Sequence, residues 1–316
     1  MQFRDRRVHC IGIGGAGLSA IARVLMEEGA EVSGSDLALS PVAKSLARDG
    51  ARIFVGHRAD NVAGAELVVV SSAVPASNVE VRAARAAGVP VFGRPEFLGR
   101  MMDGRLGVAV AGTHGKTTTT AMIASILLEA GRDPTFIVGG VIAGLGTNAR
   151  AGEGPLFIVE ADEYDRTFLS LQPTAAVVTN VEHDHPDCYP TFAEFRAAFE
   201  AFAALVPPAG LLAACWDDPV ARELGTRRRA AGAAVTFFGL GERAEMRAEE
   251  VRPNFAGGVD FLATRTGQML GLVRLRVPGA HNASNAMAAI AVADFLGVPF
   301  RVARTALTEF RGVGRR

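Results

Sequence analysis

A lysine and a run of threonines lie in the segment AGTHGKTTTT, residues 111–120, between an apolar stretch and a helical pattern. The backbone N–H groups of such a loop can surround phosphate oxygens at the start of a helix. Lys116 could then reach the β- and γ-phosphates of a nucleotide, and the Thr117 hydroxyl could hold Mg²⁺. Val110 replaces the first glycine of the strict G-x-x-x-x-G-K-[ST] pattern. The shorter G-T-x-G-K-T form keeps the same contacts, so we predict a phosphate-binding loop here.

The use of lysine elsewhere in the chain supports this interpretation. Lys44 and Lys116 are the two lysines among 33 basic residues, and arginine supplies the rest. The planar guanidinium of arginine does not replace a compact ammonium group inside a phosphate-binding loop. The presence of Lys116 in a chain that avoids lysine therefore indicates a functional role.

Acidic side chains follow the apolar run LFIVE, residues 156–160. Glu160, Asp162 and Glu163 would emerge at the carboxyl end of a strand, where ligands usually bind in α/β proteins. Because alternate residues of an extended segment share a face, Glu160 and Asp162 could point to the same side. Their oxygen atoms suit Mg²⁺. A solvated loop end is the alternative interpretation.

The segment TNVEHDHPDCY, residues 179–189, brings Asn180, His183, Asp184, His185 and Asp187 into one short loop. Imidazole and carboxylate groups are common zinc ligands. Beside a phosphate-binding loop, the better role for one of the histidines is as a ligand of a second Mg²⁺. A structural histidine is the remaining alternative.

A helical stretch opens with His281, Asn282 and Asn285. The two asparagines are three residues apart and so share one side of the first turn. Their amides could satisfy the donor and acceptor edges of an adenine. Helix capping is the alternative.

Near the start of the chain, Gly12, Gly14 and Gly17 form a G-x-G-x-x-G pattern between an apolar run and a helical pattern. These glycines would let a diphosphate approach the backbone at a helix N-terminus. Asp36, at the end of the next apolar run, could accept a hydrogen bond from a ribose hydroxyl. Three interpretations stay open here: an NAD or FAD site, a site for a UDP-linked metabolite, and a tight strand–helix turn.

The elements that position these motifs alternate between short apolar runs and helical patterns. This alternation predicts an α/β fold with mainly parallel sheets, and a second unit begins near Gly104. Residues 233–277 favour β-structure, with a turn at Gly257 and Gly258. The arginines at 227–229 are predicted to lie in a solvated loop.

The composition excludes several classes of protein. Hydrophobic residues make up 49% and charged residues 21% of the 316 residues, and the formal net charge is zero. These values are typical of a globular protein and do not favour nucleic acid or membrane partners. The three cysteines, Cys10, Cys188 and Cys215, follow no metal-binding pattern. Without a secretion signal or an apolar span, we expect a cytoplasmic protein, whose oligomeric state the sequence does not define.

Taken in order, the motifs resemble those of the ATP-dependent Mur ligases. The resemblance rests on G-I-G-G-A-G, G-S-D, S-S-A-V, G-T-H-G-K-T-T-T-T, E-A-D-E, T-N-x-x-x-D-H and G-x-H-N-x-x-N. Within that family, the chain looks most like the member that joins L-alanine to UDP-N-acetylmuramate. The resemblance implies a Rossmann-like UDP-substrate-binding domain at residues 1–104 and a P-loop-type α/β ATP-binding domain at residues 105–316. It also implies that the first glycine loop holds the UDP part of the substrate.

The resemblance assigns residues to sites. As catalytic residues it implies Lys116, Glu160 and His185, and as Mg²⁺ ligands Thr117, Glu160 and His185. Its ATP contacts are Gly112, Thr113, His114, Gly115, Lys116, Thr117, Thr118, His281, Asn282 and Asn285. Its UDP-substrate contacts are Gly14, Gly15, Ala16, Gly17, Asp36, Ser71 and Ser72. Asn78, Arg94 and Glu96 match the same substrate-domain pattern.

The resemblance also implies the chemistry, which is amide-bond formation through an acyl phosphate in peptidoglycan precursor synthesis. Mur ligases have a third, C-terminal domain that closes over ATP and helps to place the amino acid. The pattern F-x-G-V-x-R-R usually precedes that domain, and the chain ends there, at Arg316. We therefore expect the first two domains, which bind UDP-substrate and ATP but do not complete the ligation alone. The rival hypotheses are a non-catalytic UDP-sugar or nucleotide-binding module and an NAD-dependent oxidoreductase.

Overall fold

The structure, a computed structural model, describes residues 3–314. Arg315 and Arg316, which belong to the expectation about the end of the chain, lie outside the described residues, as do Met1 and Gln2. The described chain divides into two compact units, one of residues 3–104 and 149–151 and the other of residues 105–148 and 152–314. Within residues 3–314, no helix combines the length and the apolar character needed to cross a membrane.

The first unit alternates strands and helices. Its elements are β1 (Arg7–Ile11), α1 (Ala16–Glu27), β2 (Glu31–Asp36), α2 (Pro41–Arg48), β3 (Arg52–Val55), β4 (Leu67–Val70), α3 (Val79–Ala86), β5 (Val91–Gly93) and α4 (Arg94–Met102). In the described part of this unit, five parallel strands form a sheet in the order β3-β2-β1-β4-β5. The predicted Rossmann-like sheet is confirmed. Because the strand order reverses at β1, the carboxyl ends of β1 and β4 flank the position where such sheets bind ligands.

A buried carboxylate connects several elements of the first unit. Glu80 on α3 is 0% exposed. One of its oxygens, Oε2, accepts hydrogen bonds from Ser35 Oγ at 2.5 Å and from the His57 ring at 3.0 Å. The other, Oε1, accepts from Asn61 Nδ2 at 2.5 Å and from the Arg58 N–H at 3.2 Å. Burial would raise the pKa of this carboxyl group, but the polar side chains around it outweigh burial and lower the pKa to about 2.

This lowered pKa predicts an acid-dependent stability. A carboxyl group whose pKa is lower in the folded chain stabilises the fold above its ordinary pKa of 4.5, and the contribution is lost as the pH falls towards about 2. We expect the free-energy advantage of the unchanged chain over Glu80→Gln to shrink by about 2 kcal/mol between about pH 6 and about pH 3. Denaturant titrations of both proteins measure this difference. A difference that stays constant over this range would contradict the prediction.

The second unit is built on a larger mixed sheet. The strands of this larger sheet are β6 (Leu106–Ala111), β7 (Thr135–Ile142), β8 (Thr147–Arg150, which pairs with β7), β9 (Leu156–Glu160), β10 (Ala175–Val178), β11 (Leu211–Cys215), β12 (Ala234–Gly239), β13 (Met246–Pro253), β14 (Val259–Arg265), β15 (Gln268–Arg274) and β16 (Val313–Gly314). Residues 149 and 150 of β8 are counted with the first unit. Its helices are α5 (Lys116–Glu129), α6 (Phe192–Ala204), α7 (Pro219–Ala230), α8 (Ala280–Phe295) and α9 (Phe300–Glu309).

The strand order in this sheet is β15-β14-β13-β12-β11-β10-β6-β9-β7-β16, with β8 off this path. The strands from β13 to β7 pair in parallel, whereas β14, β15 and β16 pair antiparallel to their neighbours. The predicted β-structure of residues 233–277 is confirmed as β12 to β15. The predicted turn joins β13 to β14, where Gly257 has a φ of 81°. The carboxyl ends of β6, β9 and β10 lie side by side, and this arrangement brings the motifs of the second unit together.

The prediction that residues 227–229 form a solvated loop is wrong, because these arginines lie in the last turn of α7. Asp218 caps the helix by accepting a hydrogen bond from Ala221 N–H at 2.7 Å, and Pro219 is its first residue. Arg227 pairs with Glu223 at 2.7 Å, one helical turn earlier. Basic side chains are favourable at a helix C-terminus, which explains why this charged run is helical.

Candidate active site

The phosphate-binding loop predicted in the second unit connects β6 to α5. Gly112 has a φ of 137°, and a Cβ atom there would collide with Thr179 Oγ1 and lie 3.0 Å from the backbone nitrogen of Asn180. Gly115 has a φ of 84°, and its Cβ would lie 2.8 Å from Asn285 Oδ1. Both positions therefore require glycine for conformation and for space.

The residues after β10 hold the loop in place. The Thr113 N–H donates to the Asn180 carbonyl at 3.0 Å, and the His114 N–H donates to Asn180 Oδ1 at 2.8 Å. Thr179 Oγ1 donates to the His114 carbonyl at 2.6 Å. Within residues 3–314, no side chain caps the amino end of α5, so the N–H groups of its first turn are oriented for an anion.

Lys116 is the first residue of α5, and its ammonium group folds back across the loop. The Nζ atom donates to the Gly112 carbonyl at 2.6 Å, to the Thr113 carbonyl at 3.3 Å and to Glu163 Oε1 at 2.9 Å. The side chain is 14% exposed. An ammonium group with three donors can exchange the two carbonyls for phosphate oxygens while it keeps the carboxylate.

Glu163 is the partner of Lys116 that the sequence analysis did not assign. Its side chain is 1% exposed, and its Oε2 is buried without a hydrogen-bond partner among the described residues. Burial raises the pKa of Glu163, and the charge of Lys116 opposes that rise. The position in the acidic segment VEADEYD was the available signal, but an acidic segment does not show which carboxylate faces the lysine.

The Thr117 hydroxyl contacts Glu160, the last residue of β9. Thr117 Oγ1 lies 2.9 Å and 3.0 Å from the two carboxylate oxygens of Glu160. Gly139 on β7 leaves room for this carboxylate, since a Cβ atom there would collide with Glu160 Oε2. A hydroxyl and a carboxylate beside a phosphate-binding loop are oxygen donors that Mg²⁺ accepts.

Glu163, Asp184 and His185 form a second group of possible cation ligands. Their ligand atoms lie within 4.8 Å of one another, and His185 Nε2 is 3.7 Å from Glu163 Oε1. His185 has a left-handed backbone with a φ of 55°, and its ring contacts Tyr164 edge-on at 5.1 Å between centroids. Because Glu163 Oε2 has no hydrogen-bond partner among the described residues, this carboxylate could accept a divalent cation. His183 does not join this group, because its Nε2 contacts the Tyr189 carbonyl at 2.9 Å.

The predicted adenine residues lie at the start of α8, which packs against α5. Asn282 and Asn285 are buried, and His281 is exposed. Asn282 Nδ2 donates to the Pro278 carbonyl at 2.7 Å, and Asn285 Nδ2 donates to Asn282 Oδ1 at 3.1 Å. The amide of Asn285 also lies beside Gly115 of the phosphate-binding loop, where it occupies the space of a Cβ atom. Thr118, half-buried in the first turn of α5, completes the predicted ATP set.

In the first unit, Asp36 closes the glycine loop between β1 and α1. Its Oδ2 accepts a hydrogen bond from the Gly14 N–H at 2.8 Å, and its Oδ1 accepts from the Leu37 N–H at 2.7 Å. Asp36 therefore holds the loop itself. Gly15 caps α1 without a side chain, which leaves the amino end of that helix open at Ala16.

The remaining predicted substrate residues lie at the carboxyl ends of the strands of the first sheet. Ser71 packs on Gly12, where an added Cβ would lie 2.9 Å from Ser71 Cβ. The Arg94 guanidinium packs over Gly17, whose Cβ would lie 2.5 Å from Arg94 Nε. Ser72 is exposed beside them.

Two further residues of the predicted pattern have local structural contacts. Asn78 caps α3 by accepting a hydrogen bond from the Glu80 N–H at 2.8 Å. Glu96 pairs with Arg100 on the exposed face of α4, with 3.1 Å between Glu96 Oε1 and Arg100 Nη2. The place of both residues in the substrate-domain pattern stays a prediction.

Comparison with known families matches both units. The Mur ligase family catalytic domain matches residues 7–106, and the Mur ligase middle domain matches residues 110–293. The chain belongs to the Mur ligase family. The UDP-N-acetylmuramate–L-alanine ligase of Sorangium cellulosum is 48% identical to this Mur ligase chain, and the match covers 99% of this chain and 66% of that enzyme. The enzyme of the same name from Aromatoleum aromaticum is 46% identical over 100% of the chain and 67% of that relative. The chain thus spans about two thirds of the length of these curated relatives.

Solved Mur ligase structures share the fold. A UDP-N-acetylmuramate-alanine ligase from Thermotoga maritima has a TM-score of 0.84 and 32% identity, over 98% of this chain and 70% of that chain. A UDP-N-acetylmuramate:L-alanyl-γ-D-glutamyl-meso-diaminopimelate ligase from Neisseria meningitides has a TM-score of 0.87 and 30% identity. That second match covers 98% of this chain and 99% of the other.

Proposed function

We propose that this chain forms the UDP-substrate-binding and ATP-binding parts of a ligase that joins L-alanine to UDP-N-acetylmuramate. The main support for this proposal is the position of Lys116 at the open amino end of α5, beside the contact between Thr117 and Glu160. The curated relatives of that name, at 46% to 48% identity, support the choice of substrates.

In the proposed reaction, the lactyl carboxylate of UDP-N-acetylmuramate attacks the γ-phosphorus of ATP in line. The bond between the β,γ-bridging oxygen and the γ-phosphorus breaks, which gives ADP and an acyl phosphate. The amine of L-alanine then attacks the activated carbonyl carbon, loses a proton and expels inorganic phosphate. Because both nucleophiles belong to substrates, the protein has to position and neutralise the phosphates.

The residues of the second unit suit that task. Lys116 would exchange the Gly112 and Thr113 carbonyls for phosphate oxygens, while Glu163 keeps its ammonium group oriented. Thr117 and Glu160 would hold one Mg²⁺, and His185 would hold a second. When bound, Mg²⁺ supplies positive charge to the phosphate oxygens. The amides of Asn282 and Asn285 are proposed to lie next to the adenine.

The first unit is proposed to bind the UDP moiety at its glycine loop, and a substitution there tests this. We expect UDP-N-acetylmuramate to bind the chain saturably in a calorimetric titration. A Cβ atom at Gly14 would lie 2.8 Å from Asp36 Oδ2 and 2.9 Å from Ser40 Oγ. The larger side chain of Gly14→Val would displace both groups, so this variant should bind UDP-N-acetylmuramate at least tenfold more weakly. ATP affinity should not change.

Two controls accompany this titration. Gly88 lies at the opposite edge of the same sheet, where a Cβ would meet no atom of the described residues within 4 Å. Gly88→Ala should therefore leave UDP-substrate binding unchanged. NADH tests the oxidoreductase hypothesis for the glycine loop. Saturable binding of NADH, without binding of the UDP-sugar, would overturn the proposed function.

A further inference from the structure

The buried carboxylate of Glu80 lies outside every residue set assigned above, yet its partners come from several parts of the sheet edge. Ser35 belongs to β2, and His57, Arg58 and Asn61 follow β3. The ring of His9 on β1 is also close, with Nε2 at 3.7 Å from Glu80 Oε2. One side chain on α3 therefore contacts three neighbouring strands or the segments that follow them.

Ser35 connects this network to the glycine loop. Its hydroxyl donates to Glu80, while its carbonyl accepts hydrogen bonds from the Gly12 N–H at 2.8 Å and the Ile13 N–H at 3.1 Å. The next residue, Asp36, accepts from the Gly14 N–H at 2.8 Å. The backbone at Ser35 and Asp36 thus fixes the start of the loop, and Glu80 fixes Ser35.

A hydrophobic side chain would fill this buried position without the cost of desolvating a carboxylate, and such replacements are often neutral or stabilising. The four hydrogen bonds from Ser35, His57, Arg58 and Asn61 compensate that cost, and they require the segments after β2 and β3 to keep their positions around Glu80. Hydrogen bonds are directional, so this arrangement defines backbone positions more sharply than apolar packing does.

We propose that Glu80 is a positioning residue for the UDP-substrate and acts through Ser35 on the glycine loop. The proposal rests on the proposed function of the first unit. Because Glu80 is 0% exposed, it does not contact the ligand itself. Its removal should move the backbone donors of the loop, and the affinity for the UDP moiety should fall.

The test compares the affinities of the 316-residue chain and its variants for UDP-N-acetylmuramate and for ATP. We expect Glu80→Gln to raise the dissociation constant of UDP-N-acetylmuramate about tenfold or more, and Ser35→Ala to raise it about three- to tenfold. The ATP dissociation constant should stay within about twofold. Because both residues act along one path, the double variant should bind about as weakly as Glu80→Gln alone. Calorimetry at a temperature where each variant is fully folded gives these values.

Glu66→Gln is the matched control. Glu66 also accepts a backbone hydrogen bond, from the Arg7 N–H at 2.9 Å, but it lies at the amino edge of the same sheet. Glu66→Gln should lower the free energy of unfolding without changing the affinity for the UDP-substrate.

The possible outcomes distinguish a failure of the proposed function from a failure of this inference alone. If the unchanged chain does not bind the UDP-substrate, the proposed function fails and this inference fails with it. If the unchanged chain binds but Glu80→Gln binds equally well, this inference alone is overturned. Should Glu80→Gln not fold, Ser35→Ala decides, and an unchanged dissociation constant in that variant overturns the inference.

Discussion

Lys116→Met is expected to weaken the binding of magnesium–ATP by about 10- to 100-fold. Hydrogen bonds to charged groups contribute about 1.5–3 kcal/mol each, and about 1.4 kcal/mol corresponds to a factor of ten in affinity. The ammonium group already lies at the amino end of α5, where it can exchange two carbonyl acceptors for phosphate oxygens. Calorimetric titration of the full chain measures the loss.

The same substitution should also destabilise the second unit, by about 3–5 kcal/mol, because it leaves the buried carboxylate of Glu163 without its cation. Adding Glu163→Gln removes that charge and should recover most of the stability. It should not recover ATP affinity. Because Glu163 is also a candidate cation ligand, Glu163→Gln alone is titrated beside the double variant. Tighter magnesium–ATP binding by Glu163→Gln alone than by the double variant would identify the phosphate contact of Lys116.

Lys44→Met is the matched control, since Lys44 is the other lysine of the chain and is exposed on α2. It should change neither stability nor ATP affinity appreciably. If Lys116→Met/Glu163→Gln bound magnesium–ATP as tightly as the unchanged chain, the assignment of Lys116 to the phosphates would be wrong.

Gly112→Ala is expected to reduce ATP affinity more than about 100-fold. Its φ of 137° is costly for any residue with a side chain, and its Cβ would displace Thr179 Oγ1 and the backbone of Asn180. Those two residues hold the Thr113 and His114 peptide groups, so the displacement should deform the whole loop. A loop that no longer presents its N–H groups together loses the cooperative binding of phosphate oxygens.

The control for this variant is Gly131→Ala, at the other end of α5. Gly131 also has a positive φ, of 65°, but a Cβ there would meet nothing within 4 Å in the part of the chain that the structure describes. It should cost about 1 kcal/mol in stability and leave ATP affinity unchanged. Calorimetric titration with ATP measures the affinity of both variants, and denaturant unfolding measures their stability. Equal ATP affinities in the two variants would show that steric crowding at Gly112 does not control the loop.

Much of the fold could be predicted because the relevant signals are local. Strand–helix alternation in the first hundred residues indicated the parallel sheet, and the β-rich stretch before α8 is present as β12 to β15. Element ends depend on finer detail: β1 ends at Ile11 although the next side chain is the apolar Ile13, because Gly12 turns the chain with a φ of 86°. The arginine run at 227–229 was misassigned because helix capping by Asp218 and pairing with Glu223 outweigh its charge.

The candidate site shows the same division. The motif around Lys116 and the acidic segment around Glu160 were visible as neighbours in the chain, and their assigned roles stay predictions. What could not be predicted is which carboxylate meets which donor. Lys116 and Glu163 are 47 residues apart, and they meet because β6 and β9 are adjacent in the sheet.

The sequence by itself determined the α/β class, the positions of the two glycine-rich loops, and the resemblance to the Mur ligase family. The class and the loops follow from periodicity and from glycine positions along the chain, and the resemblance rests on the order of the motifs. Only the tertiary structure decided that Glu163 neutralises Lys116, that Asn180 and Thr179 hold the phosphate-binding loop, and that Glu80 joins the segments around the other glycine loop. The physical reason is that these are contacts between strands and helices distant in the chain, and their partners are set by strand order and burial.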